Sequence, residues 1–191
     1  MTKIISVTGH EILDSRGNPT VSATVTLDDG ATASAAVPSG ASTGSREAVE
    51  LRDNDPRRFG GKGVLKAVSA VNTELANAVI GLDAIDQQTI DQALVEADGT
   101  PNKSQFGANA ILAISLATLK SVATSSSREM FEHISDLAGN ESPTELPVPM
   151  FNVLNGGAHA MGSTDFQEFM LVPAGMNSFS EALQCGAEMY Q

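Results

Sequence analysis

The chain has 191 residues, with 11 Lys and Arg against 23 Asp and Glu, for a formal charge of -12. That sign opposes a nucleic-acid backbone and an anionic membrane surface, so neither is an expected partner. The length holds one large domain, or a smaller one plus part of another, and the single Cys185 leaves no intrachain disulfide, as in a reducing cytosol.

The N-terminus, Met1 to Val7, has no basic segment followed by a long apolar run, so no signal peptide is read there. Ile4 to Leu13 is rich in β-branched and aliphatic residues and ends on the turn formers Asp14-Ser15-Arg16-Gly17-Asn18-Pro19. From Thr20 to Leu27 the pattern alternates: Val21, Ala23, Val25 and Leu27 belong to a buried face, Thr20, Ser22, Thr24 and Thr26 to a wet one. Asp28-Asp29-Gly30 supplies a hairpin turn and Ala31 to Val37 runs back, which makes the opening an antiparallel meander.

Pro38 to Glu47 is small, polar and punctuated by glycine. Such a segment is either a lid that closes over a ligand, with hydroxyls and carbonyls as hard oxygen ligands for an ion such as Mg²⁺, or a plain flexible connector. Arg52, Arg57, Arg58, Lys62 and Lys66 are the one basic concentration in the chain, which either attracts an anion or forms a solvated charged face. Val64, Val68, Val71, Leu75 and Val79 recur at the spacing of one amphipathic helix, and Ile85, Ile90, Leu94 and Ala97 mark a second that ends at Asp98-Gly99. Gly107 to Val122 is apolar almost all round and should be the buried helix; its Ala108–Leu119 stretch is too short to span a bilayer. A fourth helix, Arg128 to Leu137, stacks Phe131, Ile134 and Leu137 before Gly139 stops it. Strands followed by helices predict an α+β domain over residues 1–140.

Composition then shifts. Leu146 to Leu154 is a largely unbroken apolar run, the pattern of a strand covered on both faces, and it opens a second domain, residues 146–191. Phe166 to Val172 is its second strand, and Ser178-Phe179-Ser180-Glu181 reads as a capping box that opens a helix. Between the strands stands Asn155-Gly156-Gly157-Ala158-His159, where two glycines free a loop to carry a histidine close to a ligand. Gln167 and Glu168 follow; in a regular strand one of them faces away from the other, so one is aimed at a site or both are solvent-facing.

These motifs resemble the enolase family. The resemblance is carried by Asp14-Ser15-Arg16-Gly17-Asn18-Pro19-Thr20, Pro38-Ser39-Gly40-Ala41-Ser42-Thr43-Gly44, Gly61-Lys62-Gly63-Val64 and Asn102-Lys103-Ser104. It continues through Gly107-Ala108-Asn109-Ala110-Ile111-Leu112, Pro147-Val148-Pro149, Asn155-Gly156-Gly157 and Gln167-Glu168-Phe169-Met170, in family order. It implies a three-stranded meander plus helices, followed by the beginning of an enolase-type (β/α)₈ barrel whose mouth faces the loop of the first domain. The activity implied is the reversible Mg²⁺-dependent dehydration of 2-phosphoglycerate to phosphoenolpyruvate, in the cytoplasm and as a homodimer or larger homo-oligomer. Ser39 is then a ligand of the second Mg²⁺, His159 lies near the phosphate and leaving group, Gln167 and Glu168 bind substrate, and Glu168 delivers a proton to the departing hydroxide.

In that family the acidic Gly-Asp-Glu-Gly-Gly segment, the three carboxylates of the first Mg²⁺ site, the lysine base and the phosphate-binding arginine and serine come after the point corresponding to Gln191. The 191 residues alone are therefore expected to be inactive. Ser125-Ser126-Ser127-Arg128-Glu129 also replaces the family's usual glycine- and proline-containing segment, and the loop Ala158 to Thr164 departs from its commonest pattern. Two function classes stay open: a glycolytic hydro-lyase, and a non-catalytic enolase fragment or paralogue that acts by binding a partner.

Overall fold

The computed structural model describes residues 2–40, 44, 46–140, 145–157, 160 and 162–191. It divides into two compact units, Met1–Glu141 and Ser142–Gln191. The first opens with an antiparallel sheet in the order β1 (Ile4–Leu13), β2 (Pro19–Leu27), β3 (Thr32–Ala36). The central strand β2 buries Val21, Ala23, Val25 and Leu27 completely, as the alternation predicts. Thr20 departs from it: assigned to the wet face, it is buried, and its hydroxyl donates to the Val37 carbonyl at 2.5 Å. A hydroxyl can go under cover at the end of a strand where a carbonyl waits for it.

Among the described residues of this unit a short 3-10 turn (Phe59–Gly61) and five α-helices follow the sheet: α1 (Leu65–Asn72), α2 (Glu74–Val79), α3 (Gln87–Asp98), α4 (Ala108–Ser125) and α5 (Met130–Leu137). The spacing from Val64 to Val79 predicts one helix, yet the chain breaks at Thr73, with φ -126° and ψ -93°. The cause is adjacent: the Asn72 side-chain amide accepts from Gly9 N–H at 2.8 Å and donates to the Gly9 carbonyl at 3.1 Å, tying the end of α1 to β1. Gly9 permits this approach, since a Cβ there would collide with Val71. α3 ends as expected, with Gly99 in the left-handed region at φ +67°.

Helix α4 packs across β2 and β3 and buries Ala110, Ala113, Ile114 and Ala117 against them. By length and composition it could cross a bilayer, but 56% of it is buried here as the core helix of this unit. Its interior polar groups are paired: Ser121 donates to the Val25 carbonyl at 2.9 Å and Thr118 to the Ile114 carbonyl at 2.9 Å. Leu112 is exposed, so α4 is less uniformly buried than its composition suggests. Helix α5 turns its apolar stripe outward. Phe131, Ile134 and Leu137 are exposed, Phe131 by 55%, while His133 and Ser135 are buried.

The second unit pairs β4 (Phe151–Asn155) with β5 (Glu168–Leu171) in antiparallel fashion and adds α6 (Phe179–Tyr190). Ser178 caps α6 by accepting from Glu181 N–H at 3.2 Å, and the Glu181 carboxylate accepts from Asn177 N–H at 3.0 Å. The run from Leu146 to Leu154 is not a strand covered on both faces. Only its last part pairs, and Leu146, Val148, Met150 and Leu154 are exposed, Leu146 by 71%. Two strands cannot cover each other's faces; burial of a barrel strand comes from a closed sheet with helices outside it. Strand β5 is also shorter than Phe166 to Val172, so Gln167 stands in a bend before it.

Candidate functional site

In the first unit, functional side chains gather where the segment 49–54 passes the end of β3. This segment is strapped on one side to α4: Val49 N–H donates to the Asn102 carbonyl at 2.8 Å and Ala108 N–H to the Val49 carbonyl at 2.8 Å. The Asn109 side chain then takes both polar groups of Leu51, accepting from its N–H at 3.1 Å and donating to its carbonyl at 3.2 Å. With Leu51 packed against the core, the intervening Glu50 and Arg52 side chains reach Ser39.

Ser39, half-buried just past β3, is held by three charged side chains. Its carbonyl accepts from Arg16 Nη2 at 2.9 Å; its hydroxyl accepts from Arg52 Nη2 at 3.0 Å and donates to Glu50 Oε2 at 3.2 Å. The Arg52 guanidinium, 18% exposed, also bonds Glu50 Oε1 at 2.5 Å and, through Nη1, the carbonyls of Pro19 and Lys62, both at 2.6 Å. Beside it lies a cavity of about 280 Å³ lined by Arg16, Asn18, Ser39, Gly40, Arg52 and Lys62. Asp14 completes the group: the Asn18 N–H holds its carboxyl below the ordinary value, burial opposing and Arg16 assisting.

The basic concentration is thus not one solvated face. Arg57 is solvated, at 87% exposure, but Arg52 is built into the Ser39 surroundings and Arg58 pairs with Glu11 and Asp53. A divalent cation on Ser39 would meet two guanidinium groups already on its oxygens, so the described conformation does not fit such an ion. Among the described residues no cluster of three or more His, Cys, Asp or Glu side chains forms a metal cage either.

In the second unit the geometry centres on the hairpin between β4 and β5. Gly156 N–H donates to the Gln167 carbonyl and Gly157 N–H to the Thr164 carbonyl, each at 2.8 Å, so the glycine pair closes the loop on the residue before Glu168. A Cβ on the buried Gly156 would land on the carbonyl oxygens of Phe166 and Thr164, and Gly157 has φ +56°. Both positions require glycine, as the motif suggests. Glu168 opens β5 opposite Asn155, and Gln167 and Glu168 are both exposed. Phe166 and Phe169 meet edge to face at 5.9 Å beside them.

Ser39 therefore belongs to the first unit and the Gln167–Glu168 pair to the second. His159 and residues Ala41 to Thr43 of the expected lid lie outside the described residues. Sequence reasoning missed Arg16, Glu50 and Arg52 as partners of Ser39. The available signal was the alternation of Val49 and Leu51 with Glu50 and Arg52 directly after the glycine-rich loop, which sorts apolar from charged side chains onto opposite sides of an extended segment.

Comparison with family models assigns both parts. Residues 4–134 match the enolase N-terminal domain, and residues 143–191 match the enolase C-terminal TIM barrel domain.

Proposed function

The chain belongs to the enolase family, and from that premise we propose that it provides part of a site for the reversible dehydration of 2-phosphoglycerate to phosphoenolpyruvate. The observation that supports this reading is the order of the two matches along one chain, which carries both Ser39 and the Gln167–Glu168 hairpin. In the proposed site Gln167 and His159 orient the substrate, and Glu168 holds the proton that leaves with the C3 hydroxyl as water. The exposed position of Glu168 at the head of β5 leaves its carboxylate accessible to a ligand.

Mg²⁺ as cofactor, a homodimeric assembly and a cytoplasmic location belong to the same proposal. The ion would stabilise the charge that builds on the substrate carboxylate when the neighbouring carbon loses its proton. The Ser39 conformation described above does not fit the ion.

The test measures phosphoenolpyruvate formation by the 191 residues alone and by the same residues continued into a complete enolase barrel. We expect background in the first and turnover in the second, abolished or strongly reduced by Glu168→Gln. Turnover that survives Glu168→Gln unchanged overturns the role given to Glu168. No turnover in either form favours the reading in which the protein acts by binding a partner.

A further inference from the structure

Both oxygens of Ser39 that a cation would use are engaged from within the fold. Its carbonyl is taken by Arg16, and its hydroxyl oxygen stands between Arg52 and Glu50. One nitrogen, Arg52 Nη2, is 3.0 Å from the Ser39 hydroxyl and 2.5 Å from Glu50 Oε1. A hydroxyl, a carboxylate and a backbone carbonyl are the hard oxygen groups that divalent cations prefer, and here a guanidinium occupies the space between two of them. Arg16 and Lys62, across the adjoining cavity, add positive charge of the same sign.

Arg52 is not free to swing away, since Nη1 is anchored on the Pro19 and Lys62 carbonyls. Arg16 is the looser partner, its side chain about half exposed and shared only with Asp14 among the described residues. Any exchange at this point consequently moves Ser39 off a fixed Arg52.

We propose that Arg52, seconded by Arg16, is a positioning residue that latches Ser39 with both its oxygens withheld from a divalent cation, so that ion binding requires Ser39 to leave the latch. This rests on the reading of Ser39 as a metal ligand and adds the group that competes with the metal for it. The latch is specific in its chemistry: a positive charge at position 52 excludes the ion, whereas the loss of that charge leaves Ser39 and Glu50 as an open oxygen pair.

The experiment uses Mn²⁺ alone as the probe, with the 191-residue chain, and reads paramagnetic broadening of the Ser39 and Gly40 amide signals. Arg52→Gln is expected to show selective broadening at about tenfold lower Mn²⁺ than the unsubstituted chain. Arg52→Lys, which keeps the charge but loses the fork to the two carbonyls, is expected to stay within about twofold of the unsubstituted chain. Equal broadening in the unsubstituted chain and Arg52→Gln overturns the latch, as does a common shift in the Gln and Lys variants, which would mark a purely structural role. If Arg52→Gln disorders the segment around Leu51, Arg16→Gln decides: a smaller gain in the same direction supports the latch, and no gain overturns it. Broadening that persists when Ser39→Ala is added to Arg52→Gln, or to Arg16→Gln where that variant decides, rejects Ser39 as the ligand. That outcome is separate from a failure of the latch itself.

Discussion

Glu11 Oε1 lies 2.5 Å from Arg58 Nη2, and the second oxygen of the same carboxylate accepts from Val64 N–H at 2.9 Å. Helix α1 has no side-chain cap of its own; its first free N–H groups are met by Glu11 from β1 and by Asp53, which accepts from Leu65 and Lys66 at 2.9 Å each. Two carboxylates at the positive end of a helix, with Arg58 between them, complete what the local sequence leaves open.

This arrangement predicts an acid-sensitive contribution to stability. Burial pushes the Glu11 carboxyl up, but the Arg58 hydrogen bond, the Val64 N–H and the Arg58 charge together outweigh it and leave the carboxyl below its ordinary 4.5. A depressed carboxyl stabilises the fold fully above 4.5 and loses that contribution as pH falls through the folded value. Glu11→Gln should cost about 1–2 kcal/mol at neutral pH, read by urea unfolding, and the difference should shrink steadily as pH drops below 4.5. A pH-independent difference would assign the effect to shape rather than charge.

Gly156→Ala should open the second unit selectively. The added Cβ has two backbone carbonyl oxygens in its way, and backbone cannot yield as a flexible side chain can. We expect a loss of about 2–4 kcal/mol in the hairpin, visible as lost hydrogen-exchange protection at Gly156 and Gly157, while the amides of β2 keep theirs.

Glu168→Gln separates chemistry from structure. Glu168 is exposed at the head of a strand, so its amide replacement should leave the melting temperature nearly unchanged. In a polypeptide with the complete barrel, turnover should fall by about 100-fold or more, the scale of a positioned acid or base. A large drop in melting temperature with little loss of turnover would contradict the proposed role.

Limited proteolysis should leave a resistant piece ending within residues 139–145. The continuous core lies among β1 to β3 and α1 to α4, whereas Leu146, Val148, Met150 and Phe166 of the second unit are exposed. The same exposed groups predict concentration-dependent association of the 191-residue chain, and a piece trimmed near residue 140 should associate less in sedimentation. A fully protease-resistant, monodisperse chain would contradict both expectations.

What was legible in the sequence was periodicity. Val21, Ala23, Val25 and Leu27 announce their face because a strand repeats every two residues and β2 is paired on both sides. The break at Thr73 was hidden because Val71, Leu75 and Val79 keep helical spacing across it; its cause, the bond from Asn72 to Gly9, joins residues 63 apart in sequence. Phe131, Ile134 and Leu137 gave a correct helix, but their exposure was not legible, since spacing defines a stripe and not what stands opposite it. At the site, the glycine pair was readable from backbone demands alone. The partners of Ser39 were not, because they depend on where Asn109 and Leu51 bring the segment around Arg52.

That strap on Leu51 ties the chemistry to the core. Asn109 stands in the first turn of α4, whose next residues Ala110, Ile111, Ala113 and Ile114 are packed into the centre of the unit. A tilt of α4 would carry Leu51 with it and drag the neighbouring guanidinium across Ser39. A methyl group removed under the helix, far from any ligand, would then be felt at Ser39 as a misaligned grip, so the interior of this unit works as the gauge block against which Ser39 is set.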